Sequence, residues 1–565
     1  MENPKDKIYS ILEKVISEKF AIDDVSSMIQ VTAPKDSQHG DFMSNIAMYA
    51  FGTVKGNIPG SRSHHLAVRA GNPLEFAQLI VDEVRSLNLD IFDKIEAVAP
   101  GFINFYLSPK YLQSQVQSII EAGESYGSLT LGKGKKASVE FVSANPTGPL
   151  HIGNARGGPI GDSLANVFSK AGYEVVREYW HNDVGGQVDR LGETIYFEIH
   201  PDQKPESYEA QYLGSYIKEL AQTVKEQMEE SQDELTQEQF IDKAGKIAVE
   251  LMLTEILKDC EAMGIKYDIL SKESDFLKKV PAVLSRIKKF IKEKDGAEWF
   301  APADEFLKDR ETVVKKSDGE FTYFSTDIAL HDEKFERVGT SGLVIDIWGA
   351  NHSGHVPRMK AVVRALGFNP DMLRVVLYQY VRLKRGTEVV NMSKRAGNFV
   401  TAREVLDEVG KDAFRFFLLT PRSQTHMDFD LELAKKKASE NPVFYVQYAN
   451  SRISSIFSKL KIKNFKFQID NADLSLLKTQ EEIELIRHLL KLPYLIEESV
   501  KTLEVNPLTT YALEIANLFH KFYEKQMVIS SDEKLTQARL ALLKATQLTL
   551  KNTLDILGVS APEHM

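Results

Sequence analysis

The apolar positions of this chain change their period along its length. Near the start Ile8, Leu12, Val15 and Ile16 repeat at helical spacing, which predicts an amphipathic helix. The later run EAVAPGFINFYLS, ending near Ser108, is strand-like. Together they predict a small α/β domain over residues 1–115. Within it GTVKGNIPGSRSHHLAVRAGN, residues 52–72, interrupts a helical continuation and reads as an inserted loop. His64 and His65 in that loop lack a neighbouring carboxylate or cysteine, so a solvated loop is expected there rather than a metal site.

After the Gly-rich connector GKGKK, strand-like runs alternate with helical patterns as far as residue 425. VVREYW, SGLVIDIWG and RVVLYQYV are the clearest of these runs. Such alternation predicts a mostly parallel sheet with ligand at the carboxyl ends of its strands. A charged stretch at about 205–265 reads as a helical insertion. From about Asp428 the strand pattern stops, and Tyr511, Ile515, Leu518, Phe519 and Phe522 fall at helical spacing as the core of a bundle over 426–565. The expected fold is therefore an α/β multidomain chain: a small N-terminal α/β domain, a parallel-sheet domain over 116–425 and a C-terminal all-α bundle.

Composition narrows the class without choosing a function. Of 565 residues, 43% are apolar and 27% charged, as in ordinary soluble proteins with well-formed cores. The N-terminus shows no cleavage pattern, and no segment has the roughly 18 apolar residues of a membrane span. A cytoplasmic protein with no membrane partner is expected. The single cysteine, Cys260, excludes internal disulfides and Cys-cluster zinc sites, and it reads as an inert helix residue. A net charge of −10 opposes indiscriminate nucleic-acid binding, so any RNA contact must be local. Lysines cluster at 133–136, at 435–437 and in KLKIKNFKF, and each cluster by itself reads as a solvated face.

The chemistry concentrates in VEFVSANPTGPLHIGNAR, where a buried-type strand runs into a Gly/Pro loop with one histidine. Pro146, Gly148 and Pro149 break the strand, and Gly153 precedes an Ala/Gly-rich helix start. Such a loop lets backbone N–H groups approach phosphates, while an imidazole can donate to developing negative charge. A second Gly-flanked loop, Asn391-Met392-Ser393-Lys394-Arg395, carries adjacent cations that can close over a triphosphate.

His151-Ile152-Gly153-Asn154 resembles the HIGH signature of class I aminoacyl-tRNA synthetases, and Asn391 to Arg395 resembles their KMSKS loop, in the right order. More specifically, VEFVSANPTGPLHIGNARGGPIGDSLANVFSKAGYEVVREYWHNDVGGQV, FTYFSTDIALHDEKFERV, VIDIWGANHSGHVPRMKA and the ending LGVSAPEHM are similar to the arginyl-tRNA synthetase family. HGDFMSNIAMYAF and PGFINFYLS resemble that family's N-terminal domain, so the likeness covers nearly the whole chain. Two positions depart from the class signature. Asn154 stands where the second histidine of HIGH is usual, and Asn391 where the first lysine of KMSKS is usual. Asparagine can donate a hydrogen bond to phosphate but carries no charge.

The resemblance implies a class I Rossmann-type catalytic domain and a reaction with three partners: ATP brought with Mg²⁺, L-arginine and tRNA-Arg. No protein-held structural metal is implied, and a monomer is expected. By similarity, His151, Asn154 and Lys394 are the catalytic candidates. Pro146, Gly148, Gly153, Met392 and Ser393 join them around ATP. Glu140, Asn145, Tyr323, Asp327 and His352 are the arginine candidates. A guanidinium presents five donors in a planar fork, so carboxylates and hydroxyls suit it. Tyr323 and Asp327, four apart, share one face of a helix. Tyr445, Tyr448, Asn450 and Arg452 are candidates for reading unstacked anticodon bases. The span between His151 and Lys394 leaves little room for an editing domain, and a guanidinium can be selected without one. A small-molecule adenylyltransferase would share the phosphate chemistry without needing the arginine residues or the bundle. A non-catalytic tRNA-binding paralogue would keep the RNA domains, with Asn154 and Asn391 as its only support.

Overall fold

The computed structural model describes residues 3–20, 22, 25–34, 36–55, 70–230, 235–307, 311–390, 400–462 and 471–565. The N-terminal helix Pro4–Phe20 buries Ile8, Leu12, Val15 and Ile16, the face expected from their spacing. It packs on helix Pro73–Ser86 and on the edge strand of a four-stranded antiparallel sheet of β1 (Val31–Thr32), β2 (Phe42–Ser44), β3 (Phe92–Val98) and β4 (Phe102–Leu107), in the order β1-β2-β4-β3. The run EAVAPGFINFYLS is thus not one strand. Ala99, Pro100 and Gly101 turn it, and it pairs with itself as the β3–β4 hairpin. Helix Ile46–Lys55 carries the chain past Gly52, so the first four residues of the expected insertion are helical. Residues 56–69, including His64 and His65, lie outside the described residues.

Helix Pro109–Ala122 leads into β5 (Lys136–Glu140), the centre of a five-stranded sheet with β6 (Glu174–His181), β7 (Ile269–Lys272), β11 (Leu343–Gly349) and β12 (Leu373–Tyr378). All neighbours are parallel, in the order β12-β11-β5-β6-β7. The strand order reverses between β5 and β11, and ligands bind at the carboxyl ends beside such a reversal. Helix Gly157–Lys170 crosses from β5 to β6 and lies close on the sheet, because a Cβ at Gly161 would overlap the Phe141 ring.

The crossover from β6 to β7 holds the expected helical insertion. Helices Gly186–Ile199, Ser215–Glu230 and Gln237–Ala262 pack around their own apolar centre of Leu191, Ile195, Val224, Ala244 and Ala248. Cys260 lies buried in the last of these helices, and burial pushes its thiol up to about 12, which makes it inert at neutral pH. Two smaller sheets have no counterpart in the sequence reading. β8 (Ile291–Lys294), β9 (Ala297–Phe300) and β10 (Thr312–Lys315) form an antiparallel flap. β13 (Val381–Arg385), β14 (Glu388–Val389) and β15 (Met427–Asp430) form a mixed sheet, with β13 antiparallel to β14 and parallel to β15, so RVVLYQYV is broken between Tyr378 and Val381.

Beyond Asp430 the described residues contain no strand, as expected. Tyr511, Ile515, Phe519 and Phe522 are buried in helix Asn506–Lys525, with Leu518 packed at the edge of the same core. Arg415 fastens this bundle to the sheet domain. Its buried guanidinium donates to Asp162 (2.6 Å), to the Leu557 carbonyl (2.9 Å) and to the Met263 carbonyl (3.0 Å). Gly558 ends the last long helix at φ +67°, and a Cβ there would overlap the Arg415 guanidinium. No helix among the described residues is long and apolar enough to cross a membrane.

Arg415→Met should strip the joint of these hydrogen bonds and leave Asp162 facing Arg177 at 3.4 Å as its remaining ion-pair partner among the described residues. A loss of about 3 kcal/mol is expected, the lower end for breaking a buried ion pair. The urea midpoint for loss of helical circular dichroism measures it, and an unchanged midpoint would show that the joint contributes nothing.

Candidate active site

The chain leaves β5 through two residues in the left-handed region, Val142 at φ 67° and Ser143 at φ 39°. That conformation is uncommon for any residue with a side chain and costs about 1–3 kcal/mol, most of all at a β-branched valine. One backbone N–H and one side chain of β6 hold it in place. Ser143 Oγ accepts from the Trp180 N–H (3.1 Å), and the Tyr179 hydroxyl donates to the Ala144 carbonyl (2.7 Å). The turn swings residues 145–151 across the carboxyl end of the sheet, where they form one wall of a cleft of ≈ 1210 Å³. Single small-molecule sites have roughly 300–1,000 Å³, so this space suits more than one substrate.

His151 caps the short helix Ile152–Ala155, with Nδ1 accepting from the Asn154 N–H at 3.3 Å. Gly148, His151 and Asn154 face the cleft, whereas Pro146 and Gly153 are buried in the loop and shape it from behind. The second signature, Asn391 to Arg395, falls within 391–399, so Asn391, Met392, Ser393 and Lys394 lie outside the described residues. Both ends of that segment are anchored. Val390 N–H donates to the Leu383 carbonyl (3.0 Å), and on the far side Thr401 bridges His151 while Ala402 N–H donates to the Leu150 carbonyl (2.7 Å). The described residues just past that segment therefore adjoin the loop of the first signature.

The opposite wall is acidic. Tyr323 and Asp327 occupy the first turns of helix Tyr323–Val338 and both line the cleft, on the shared face that their spacing requires. Tyr323 is 47% exposed, open to a ligand. Asp327 Oδ2 meets His355 Nε2 at 3.1 Å. Asn145 donates to Gln187 Oε1 (2.8 Å), and His352 sits exposed on the turn after β11. Glu140 reaches the cleft floor, but Lys334 already donates to its carboxylate. Burial pushes the Glu140 carboxyl upward against the pull of Lys334.

Several lining groups escaped the sequence reading, notably Gln187, Arg190, His355 and Arg358. Glu273 is the most telling of them. It follows β7, is 3% exposed, and accepts from Thr326 Oγ (3.1 Å) through one oxygen, while Oε2 has no hydrogen-bond partner among the described residues. Burial, with Asp327 and Asp183 nearby, raises its carboxyl to about 7. A buried acid with an unfilled acceptor beside a second carboxylate is poised for a cation. Its signal in the sequence was a glutamate at the carboxyl end of a parallel strand, hidden because that strand has only four residues.

On the bundle, Tyr448 is exposed, nearly parallel to Phe444 (centroids 6.3 Å apart) and stacked on His520 (5.7 Å). Tyr445 packs on the same histidine at 4.8 Å. Arg452 lies over the Tyr523 ring and donates to its hydroxyl (3.0 Å). Asn450 corrects the sequence reading. It is 2% exposed, and its amide donates to the Ala561 and Pro562 carbonyls, so it holds the end of the chain and has no face left for a base. Among the described residues no group of three or more His, Cys, Asp or Glu could hold a metal.

Comparison with known proteins agrees with this arrangement domain by domain. Family models match for the arginyl tRNA synthetase N terminal domain at residues 6–107, the class I (R) tRNA synthetase catalytic domain at 115–460 and the DALR anticodon binding domain at 446–565. The arginine–tRNA ligase of Carboxydothermus hydrogenoformans is 39% identical over 95% of this chain and 94% of its own length. That of Citrifermentans bemidjiense is 40% identical over 95% of each chain. The arginyl-tRNA synthetase structure from Thermus thermophilus superposes with a TM-score of 0.76 over all of both chains, and at 20% identity that likeness concerns the fold alone. By its three domains in order and its full-length relatives, this chain belongs to the arginyl-tRNA synthetases, of class I.

Proposed function

We propose that this chain activates L-arginine with ATP and transfers it to tRNA-Arg. The observation that carries this reading is the polarity of one cleft: a glycine-rich, histidine-bearing loop on one wall, and a tyrosine with two carboxylates, Asp327 and Glu273, on the other. An arginine carboxylate oxygen attacks the α-phosphorus of ATP, the bond to the β-phosphate oxygen breaks, and pyrophosphate leaves. The 2′-hydroxyl of the terminal adenosine then attacks the activated carbonyl and AMP departs.

Gly148, His151 and Asn154 face the side suited to the phosphates, and Lys394 supplies charge as pyrophosphate forms. Mg²⁺ accompanies ATP and neutralises its phosphate charge. Asn145 and His352 serve the α-amino end of arginine, while Tyr323, Asp327 and Glu273 receive its guanidinium fork. Tyr448 and Tyr445 offer stacking faces for anticodon bases, with Arg452 as a nearby cation. The N-terminal domain meets the tRNA elbow. The direct test is charging of total tRNA with each labelled amino acid in turn. Arginine alone is expected to be incorporated, and incorporation of another amino acid instead would overturn the reading.

Asp327→Asn keeps the shape of the side chain but leaves a bound guanidinium short of one charge, which should cost about 2 to 5 kcal/mol. Citrulline is neutral at that end and should lose far less. The ratio of kcat/KM for arginine over citrulline therefore falls in the variant, and an unchanged ratio in folded protein would make Asp327 a structural partner of His355.

Glu273 gives the site a pH dependence. With its carboxyl raised to about 7, the ionised form that suits a guanidinium is present above that value and lost below it. The arginine KM should rise about tenfold between pH 8 and pH 6, since each unit below the pKa costs a factor of ten. Glu273→Gln should flatten that profile. A wild-type KM independent of pH over this range would remove Glu273 from the guanidinium site.

A further inference from the structure

Three neighbouring strands place a carboxylate at the same level of the sheet. Asp346 on β11 stands in register with Glu140 on β5, and Glu140 in register with Glu178 on β6. All three are buried, and helix Tyr323–Val338 lies across them. That helix answers with His331, Lys334 and Arg337, spaced three apart so that they share a face. Lys334, 0% exposed, donates to Glu140 and to Asp346 Oδ1 (2.8 Å). Arg337 donates to Glu178 (2.8 Å), which also accepts from Ser271 Oγ (2.6 Å). His331 faces Asp346 Oδ2 through Nε2 (2.9 Å) and the Asp327 carbonyl through Nδ1 (2.8 Å). Both ring nitrogens thus meet oxygen atoms, one on the row and one on the helix backbone.

We infer that Lys334 is a positioning residue for arginine: its buried ammonium aims Glu140 at the cleft floor and, through Asp346 and His331, sets the level of the turn that carries Asp327. The inference rests on the arginine reading of the cleft. It differs from a general role in stability because the ion pairs of this layer divide by what they touch. Lys334 and Asp346 act on Glu140 and on the backbone of Asp327. Arg337 and Glu178 lie at the other end of the row, and among the described residues their side-chain hydrogen bonds and ion pairs go to each other, Ser138, Ser271 and Glu333, none of which lines the cleft.

The experiment compares two paired exchanges that each remove one cation and one anion, so that the buried layer keeps its net charge. Lys334→Met/Asp346→Asn removes the inner pair, and Arg337→Gln/Glu178→Gln the outer. Tm and steady-state charging are measured with arginine and ATP varied separately. The inner exchange should raise the arginine KM about thirtyfold or more, the scale expected when a buried charge network is broken, with the ATP KM within about threefold of wild type. The outer exchange should lower Tm comparably yet leave the arginine KM within about twofold. Lys334→Arg retains the buried charge but moves it, and should raise the arginine KM about tenfold. Equal rises in both KM values for the inner exchange, an arginine KM raised as much by the outer pair, or an unchanged arginine KM in Lys334→Arg would each overturn the inference. Should the inner exchange not fold, Lys334→Arg against the outer pair decides it. Failure of wild type to charge arginine would instead overturn the reading of the cleft.

Discussion

A carboxylate taken out of water inside a sheet must be compensated, and three of them side by side must be compensated together. That constraint governs the centre of this molecule. The uncompensated penalty is several kcal/mol per ion, a large share of the stability of any domain. The Asp346, Glu140 and Glu178 row is tolerable only because one helix brings His331, Lys334 and Arg337 against it. Although burial works to raise Asp346, Lys334 and His331 hold its carboxylate well below the usual range. Because the row and the helix must meet in register, the first turns of that helix, with Tyr323 and Asp327, come to rest over the carboxyl ends of β5 and β11.

The rest of the cleft follows from where β5 ends. Val142 and Ser143 hold a strained turn that the Trp180 backbone N–H and the Tyr179 hydroxyl of β6 stabilise, and the turn throws the glycine-rich loop across the sheet. The helical insertion closes the open side, since the Tyr216 hydroxyl donates to the Thr147 carbonyl (3.0 Å) and Gln187 accepts from Asn145. His151 is tied in turn to Thr401, at the far end of the segment that carries the second signature. The glycine-rich loop with His151 thereby lines the same cleft as the carboxylates of Asp327 and Glu273.

Much of this was legible in the sequence because it is encoded locally. The spacing of Ile8, Leu12, Val15 and Ile16 sufficed for the first helix, and that of Tyr511, Ile515, Phe519 and Phe522 for a bundle core. The four-residue step from Tyr323 to Asp327, candidates by resemblance, placed both on one helical face, and both line the cleft. What was not legible depends on which strands become neighbours. Glu273 belongs to the cleft only because β7 lies beside β6, and Lys334 meets Glu140 only because β5 packs under a helix nearly two hundred positions later in the chain. The hairpin within EAVAPGFINFYLS was masked by apolar residues on both sides of its turn. Asn450 looked like a base reader because nothing in its own helix reveals that the end of the chain folds back onto it. Lys394, by contrast, rests on sequence alone, since it falls outside the described residues.

The central claim is that the acidic wall, and not the loop wall, receives the guanidinium. A crystal structure of the protein with bound L-arginine tests it without kinetics. The account places the guanidinium nitrogens within about 3 Å of carboxylate oxygens of both Asp327 and Glu273, ordinary distances for charge-assisted hydrogen bonds. The α-carboxylate then points toward His151. Arginine bound the other way round, with its guanidinium at the glycine-rich loop and neither carboxylate in contact, would contradict it.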